Sequence, residues 1–264
     1  MNIERLSTGI KELDNILGGG IPKGFFIAVV GEPGCGKTIL CIHFIYEGLR
    51  NNEKAIYVTT EESRESIVIQ ASQFNMNFDK YIKNGKLVII DALLKARGDP
   101  YSLDELDPEK LVNKIIQVKK ALGYGHTRLV IDSLSAFWLD KPAMARKYSY
   151  FFKKILYQWG FTVFATSQYA ITTSEAFGFG IEHIADGIIR FRKIVRRGVL
   201  KRYILVEKMR HSSHDLRMYE IDIVDGKGLV IKRATQYRSE DIILPESVKK
   251  RIIEASKKIS DEIP

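Results

Sequence analysis

The chain has 264 residues, 45% of them hydrophobic and 28% charged, proportions typical of one folded α/β domain with a small appendage and not of a disordered protein. No apolar run is long enough to cross a bilayer, the amino terminus carries no apolar signal region, and Cys35 and Cys41 cannot build a disulfide framework, so we expect a cytoplasmic protein. The net charge of +9 favours polyanions as partners.

The first predicted elements are a short helix and a buried strand. Within residues 6–17, Ile10, Leu13 and Leu17 share one helical face, and the glycine run 18–20 ends that helix. Residues 25–30 are all apolar, which predicts a strand buried on both faces.

A phosphate-binding loop follows this strand. Residues 31–38 read GEPGCGKT and fit the pattern G-x-x-x-x-G-K-[ST], and residues 39–48 form a predicted helix that ends near Gly48. Strand, glycine loop and helix together are the context in which this motif binds phosphate, with Lys37 on the β- and γ-phosphates and Thr38 on Mg²⁺. The alternative is an ordinary glycine turn before a helix. The predicted nucleotide-binding residues are Glu32, Pro33, Gly34, Cys35, Gly36, Lys37, Thr38 and Ile39.

The rest of the chain alternates strands and helices and then changes character. Strands are predicted at 55–59, 87–91, 129–132 and 161–166, with helices at 63–74, 108–122 and 143–158. This alternation predicts an α/β fold with a mainly parallel sheet flanked by helices. After residue 185, segments 186–194, 202–209, 216–224 and 229–231 predict antiparallel strands at the carboxyl-terminal side of the sheet. We expect a domain over 1–235 and a helical tail over 236–264.

Carboxylates follow two of the predicted strands. Asp132 ends an apolar strand, where it would hold Mg²⁺ beside Thr38, or would simply cap the next helix. Glu61 and Glu62 lie in the sequence TTEES between a strand and a helix. They would position or deprotonate the water that attacks the γ-phosphate, or would only stabilise the first turn of the helix.

These motifs together resemble KaiC-type ATPases of the RecA superfamily. The resemblance rests on LSTG at 6–9, GEPGCGKT, TTEES, LVIDS at 129–133 and KMR at 208–210, and it runs from residue 3 to about 231 in the family's order. It implies a RecA-like fold, ATP and Mg²⁺ as ligands, and hydrolysis between adjacent subunits of a homo-oligomeric ring or filament. Among single-domain relatives are archaeal RadA paralogues connected with DNA recombination.

The resemblance also implies roles for individual residues. The first carboxylate of the TTEES pair, Glu61, would be the catalytic base, with Glu62 supporting it. Lys208 and Arg210 match a K-x-R pair that reaches the neighbouring subunit's γ-phosphate, although they could be ordinary surface charge. Gln168 ends a strand where RecA-like proteins often place a γ-phosphate sensor.

One departure from the family concerns phosphorylation. Glu182 and His183 stand where clock-type KaiC carries its phosphorylated hydroxyl pair. Autophosphorylation of the clock-protein type is therefore not expected.

Two segments are candidate DNA-binding surfaces. Phe177 and Phe179, in a loop after the fifth strand, would stack on bases of single-stranded DNA, or would pack against the body or an adjacent subunit. Between residues 188 and 206 there are seven basic side chains and no acidic one, so this hairpin would follow a phosphate backbone or form a solvated face. The seven are Arg190, Arg192, Lys193, Arg196, Arg197, Lys201 and Arg202.

Three functions fit these observations. The first is an ATPase that modulates DNA recombination or repair by binding DNA, a recombinase or both. The second is a regulatory ATPase whose nucleotide state is sensed by a protein partner. The third is a nucleotide-gated module with negligible hydrolysis, against which the intact Lys37, Thr38, Glu61 and Asp132 argue. The basic hairpin and the aromatic loop favour the first.

Overall fold

The computed structural model of the chain describes residues 3–94, 98–139, 142–168, 181–196 and 198–235. Phe177, Phe179, Arg197 and the predicted tail 236–264 lie outside the described residues. The strands are β1 (Arg5–Leu6), β2 (Ile21–Pro22), β3 (Phe26–Gly31), β4 (Lys54–Thr59), β5 (Leu87–Asp91), β6 (Thr127–Asp132), β7 (Phe161–Gln168), β8 (Gly187–Arg196), β9 (Val199–Met209), β10 (Tyr219–Val224) and β11 (Gly228–Ala234). The α-helices are α1 (Lys11–Ile16), α2 (Lys37–Arg50), α3 (Arg64–Gln73), α4 (Phe78–Lys83), α5 (Pro108–Leu122), α6 (Ala145–Tyr157) and α7 (Ile181–Ile184).

Nine strands form one sheet in the order β11-β10-β9-β8-β3-β7-β6-β4-β5. The strands from β8 through β3, β7, β6 and β4 to β5 run parallel, whereas β9 is antiparallel to both β8 and β10. The predicted fold class, a mainly parallel sheet with antiparallel strands at the carboxyl-terminal side, is confirmed. Because β3, β4, β6 and β7 are parallel, the residues that follow them meet at one edge of the sheet.

The sheet is buried on both faces, as β3 illustrates. Ile27 and Val29 belong to a cluster that includes Phe44 of α2, whereas Ala28 and Val30 belong to a second cluster that includes Phe152 of α6. Successive side chains of a strand point to opposite faces, so one apolar run supplies both clusters. None of the helices in the described ranges is long and apolar enough to cross a bilayer.

Two local predictions are wrong. The amino-terminal helix covers only Lys11–Ile16, because Asp14 accepts hydrogen bonds from the Ser7 hydroxyl and the Thr8 amide at 2.6 and 2.8 Å, which holds the preceding residues in a loop. Helix α2 continues past Gly48 to Arg50. Gly48 is a packing position, since a Cβ there would collide with the buried Arg128 side chain.

His43 makes stability dependent on pH. Its ring is buried in α2, Nε2 accepts a hydrogen bond from the Leu229 amide at 3.0 Å, and burial lowers its pKa from 6.5 to about 4. Below pH 6.5 the unfolded chain therefore binds more protons at this site than the folded chain does. We expect the free energy of unfolding to fall by about 3 kcal/mol as the pH falls from 6.5 to 4.

Urea unfolding at several pH values measures this effect. His43→Gln keeps a hydrogen-bond acceptor but cannot titrate, so its unfolding free energy should change less over the same interval. Equal pH dependence in the two proteins would show that other groups are responsible.

Candidate active site

The phosphate loop lies between β3 and α2 and is in close contact with β8. Gly31 has φ +152°, and a Cβ there would lie 2.7 Å from the Phe191 carbonyl oxygen. Gly36 has φ +109° and immediately precedes α2, so the loop leads into the positive end of a 14-residue helix. Gly31 leaves room for the Phe191 carbonyl group, and the left-handed φ of Gly36 favours a residue without a Cβ.

Lys37 is buried within the loop that it follows. Only 7% of it is exposed, and Nζ donates to the carbonyl oxygens of Gly31 at 3.0 Å and Glu32 at 2.9 Å. The Cys35 side chain is also buried, and burial raises the pKa of its thiol despite the neighbouring Lys37. The thiol is therefore protonated at neutral pH and has the character of a packing group.

The Asp132 carboxylate accepts hydrogen bonds from three hydroxyl groups. Thr38 Oγ1 and Tyr57 OH donate to Oδ2 at 2.8 Å each, and Thr166 Oγ1 donates to Oδ1 at 2.5 Å. Burial, followed by the proximity of Asp132, raises the pKa of Tyr57 well above its ordinary value, so its hydroxyl remains a donor. Tyr57 and Thr166 were not predicted; they lie on β4 and β7, the two strands that flank β6.

The oxygen atoms of Thr38 and Asp132 fit a Mg²⁺ site completed by substrate. Oxygen ligands at 2.0–2.1 Å from Mg²⁺ occupy neighbouring octahedral positions about 2.9 Å apart. The observed 2.8 Å separation matches that spacing. Among the described residues no three His, Cys, Asp or Glu side chains form a metal-binding cluster.

Glu61 and Glu62 point in different directions. Glu61 accepts hydrogen bonds from Ser133 Oγ at 2.6 Å and from Gln168 Nε2, which places it between β6 and β7. Glu62 instead accepts from Ser66 Oγ at 2.5 Å, in the first turn of α3. Glu61 is therefore bound to residues at the ends of β6 and β7, whereas Glu62 is bound to the start of α3.

These groups line one cleft at the carboxyl edge of the sheet. Its volume is about 280 Å³. Gln70 Oε1, a buried acceptor with no hydrogen-bond partner in the described part of the chain, also lines it and suits a donor group of a ligand. Glu32 and Cys35 are the predicted nucleotide-binding residues that do not line the cleft. The lining residues are Pro33, Gly34, Gly36, Lys37, Thr38, Ile39, Glu61, Glu62, Gln70, Asp132, Gln168 and Ile223.

Lys208 and Arg210 lie at the opposite edge of the sheet. They flank Met209, which pairs with Gly187 at the start of β8, and the start of β8 lies beside the start of β3. The phosphate loop follows the other end of β3. With about 3.3 Å per residue, the pair and the loop are separated by at least about 13 Å along the strand. These two residues therefore do not join the cleft of their own chain.

Both side chains have contacts near α7. Lys208 Nζ donates to the Glu182 carbonyl oxygen at 3.3 Å, and Arg210 forms an ion pair with Asp186 at 3.2 Å. Burial and then the nearby Arg210 lower the pKa of Lys208. Lys208 and Arg210 are therefore neighbours at this edge, beside the carboxylate of Asp186.

The basic hairpin of β8 and β9 is partly neutralised within the chain. Arg190 forms an ion pair with Glu207, and Lys201 forms one with Glu220 at 2.9 Å. Arg196 lies over the Tyr203 ring, with 5.9 Å from Cζ to the ring centre. Fewer charges are therefore available for a polyanion than the sequence alone indicates.

Comparisons with known proteins agree with this geometry. The family model for the KaiC ATPases matches residues 6–236. A UPF0273 protein of Thermotoga maritima is 37% identical over 235 residues, covering 87% of this chain and 96% of the relative. One from Saccharolobus solfataricus is 31% identical over 275 residues, covering 99% of this chain and 98% of the relative. The crystal structure of a KaiC-like protein from Pyrococcus horikoshii is similar with a TM-score of 0.75 and 29% identity, covering 88% of this chain and all of that one.

Proposed function

The chain belongs to the KaiC family of ATPases, and from this premise we propose that it hydrolyses ATP to ADP and phosphate with Mg²⁺ as cofactor. The observation that carries the proposal is the convergence of Lys37, Thr38, Asp132, Glu61 and Gln168 on one cleft. A nucleotide-gated module without hydrolysis would need the Asp132 carboxylate for Mg²⁺ but not the Glu61 carboxylate in the same cleft.

Each side chain has a distinct task in this proposal. Lys37 exchanges its carbonyl contacts for the β- and γ-phosphates, and the loop amides surround the phosphate oxygens. Thr38 and Asp132 would hold Mg²⁺, whose positive charge would offset the negative charge of the phosphates. Glu61 orients the attacking water and accepts its proton, while Gln168, hydrogen-bonded to Glu61, responds to the γ-phosphate.

Phosphate release from ATP, measured with Mg²⁺ and with the metal chelated, tests the proposal directly. Release that requires Mg²⁺ supports it. ATP binding without any release above the uncatalysed rate would return the protein to the nucleotide-gated module.

We further propose that Lys208 and Arg210 act on the neighbouring subunit's nucleotide within a homo-oligomer, a ring or a filament. Their distance from their own phosphate loop supports this assignment. Specific activity should then rise with protein concentration. Equal amounts of Arg210→Ala and Lys37→Ala subunits, each inactive alone, should recover about a quarter of wild-type activity, because random assembly joins two intact halves at one interface in four.

Mixing after prior dissociation and reassociation is the appropriate measurement. A mixture that remains as inactive as its components, with activity independent of concentration, would indicate that each subunit works alone.

A role in DNA recombination or repair, through DNA or a recombinase, is the finer form of the proposal. Its support is the seven basic residues between 188 and 206, and the intramolecular ion pairs of Arg190 and Lys201 reduce that support. Affinity for single-stranded DNA should fall steeply with salt, and Arg196→Glu with Arg197→Glu should weaken binding and flatten the salt dependence.

Loss of Phe177 and Phe179 should act differently, lowering DNA affinity by about 1–3 kcal/mol per stacked base without changing the salt dependence. Titration with and without ATP at two salt concentrations measures both effects. A wild-type protein that binds no DNA at low salt would be better described as a regulatory ATPase whose nucleotide state is sensed by a protein partner.

A further inference from the structure

Four successive carbonyl groups of the phosphate loop accept hydrogen bonds from cationic side chains. Lys37 contacts the first two, those of residues 31 and 32. The next two are contacted from the basic hairpin, where Lys193 Nζ lies 2.8 Å from the Pro33 oxygen and Arg202 Nε lies 3.2 Å from the Gly34 oxygen. Lys193 and Arg202 face each other directly across the β8–β9 pair.

The strands that carry these two cations are fixed against the loop. Phe191 of β8 lies beside Gly31 and Gly36, where added Cβ atoms would be 2.9 Å and 3.6 Å from its side chain. The ion pair of Arg190 with Glu207 connects β8 to β9, and the ion pair of Lys201 with Glu220 connects β9 to β10. The hairpin therefore holds Lys193 and Arg202 at a defined distance from the loop.

The direction of a carbonyl group determines the direction of the next amide. In a planar trans peptide, the C=O and the N–H point to opposite sides. The Pro33 carbonyl is directed at Lys193, so the Gly34 N–H is directed away from the hairpin. The Gly34 carbonyl is bound to Arg202, so the Cys35 N–H is also directed away from the hairpin. These amides belong to the loop that surrounds phosphate in this motif. A cation at the carbonyl also polarises the peptide and strengthens its N–H as a donor.

We propose that Lys193 and Arg202 are positioning residues for the nucleotide, which orient the amides of Gly34 and Cys35 before the phosphates arrive. The inference rests on the proposed function of the cleft and extends it to the hairpin. Preorganisation lowers the conformational cost of binding. Loss of either contact should therefore weaken ATP binding more than it slows turnover.

Arg202 allows the donor to be separated from the charge. Arg202→Gln keeps an N–H at the position of Nε without the charge, whereas Arg202→Met removes both and keeps the stem. We expect Arg202→Met and Lys193→Met to raise the Kd of a fluorescent ATP analogue with Mg²⁺ about tenfold each, as the loss of one charge-assisted hydrogen bond implies. Arg202→Gln should remain within about threefold of wild type, and kcat at saturating ATP should change less than KM in all three.

Arg192→Met is the matched control, because it removes one charge from the same hairpin at an exposed position on the opposite face of β8. Its Kd should equal that of wild type, and thermal unfolding should verify that every variant is folded. Equal losses in Arg202→Gln and Arg202→Met would overturn the inference in favour of simple charge attraction, and wild-type affinity in Lys193→Met and Arg202→Met would overturn it outright. A wild-type protein that binds the analogue no better than Lys37→Ala would overturn the proposed function and this inference together.

Discussion

Lys37→Ala is expected to reduce ATP hydrolysis to the background rate, a loss of about 10²–10³-fold or more. In this motif the lysine ammonium group reaches the β- and γ-phosphates. Lys193 and Arg202, which also contact the loop, bind carbonyl oxygens on the hairpin side. They are therefore badly placed to replace it in the transition state.

Steady-state phosphate release and ATP-analogue binding measure this loss. Because Lys37 also contacts two loop carbonyls, the variant's thermal unfolding must be compared with wild type, and Lys11→Ala, an exposed change on α1, serves as the control. A folded Lys37→Ala protein that retains about a tenth or more of the wild-type rate of hydrolysis would contradict the assigned phosphate site.

Glu61→Gln is expected to preserve ATP binding and to lower kcat by about 10²–10⁴-fold, the contribution of a well-placed general base. Glutamine has the same shape, and its oxygen can still accept the hydrogen bond from Ser133 Oγ. The substitution therefore removes the proton acceptor and keeps the Ser133 contact, and a turn of the Gln168 amide would present its oxygen to the new NH₂ group. Single-turnover hydrolysis and analogue binding, measured on the same preparation, separate the two effects.

Glu65→Gln supplies the control for this substitution. Glu65 is exposed in the first turn of α3. It can therefore interact with the positive end of the helix, but it does not line the cleft. Its kcat should equal that of wild type. If Glu61→Gln and Glu65→Gln behave alike, then Glu61 stabilises the helix terminus and another group activates water.

The sequence alone predicted the features that depend on neighbouring residues. GEPGCGKT specifies a loop because its glycines, lysine and threonine act within a few residues of each other, and the apolar runs before Gly31 and Asp132 mark two strands of a parallel sheet. The alternation of strands and helices predicted the fold class, which the structure confirms. The roles of Glu61, Gln168, Lys208 and Arg210 stay predictions.

Only the tertiary structure decided which distant residues meet. It directs Glu61 to Ser133 and Glu62 to Ser66, although the two carboxylates are adjacent in the chain. It also brings Tyr57 and Thr166 to Asp132 from the two strands that flank β6.

The contact of Lys193 and Arg202 with the phosphate loop has the same origin. In the sequence, Lys193 is 160 residues from Pro33 and Arg202 is 168 residues from Gly34. The contact exists because β8 is the neighbour of β3 in the sheet. Strand order is set by the packing of the whole domain, so no local pattern of residues around Lys193 or Arg202 encodes it.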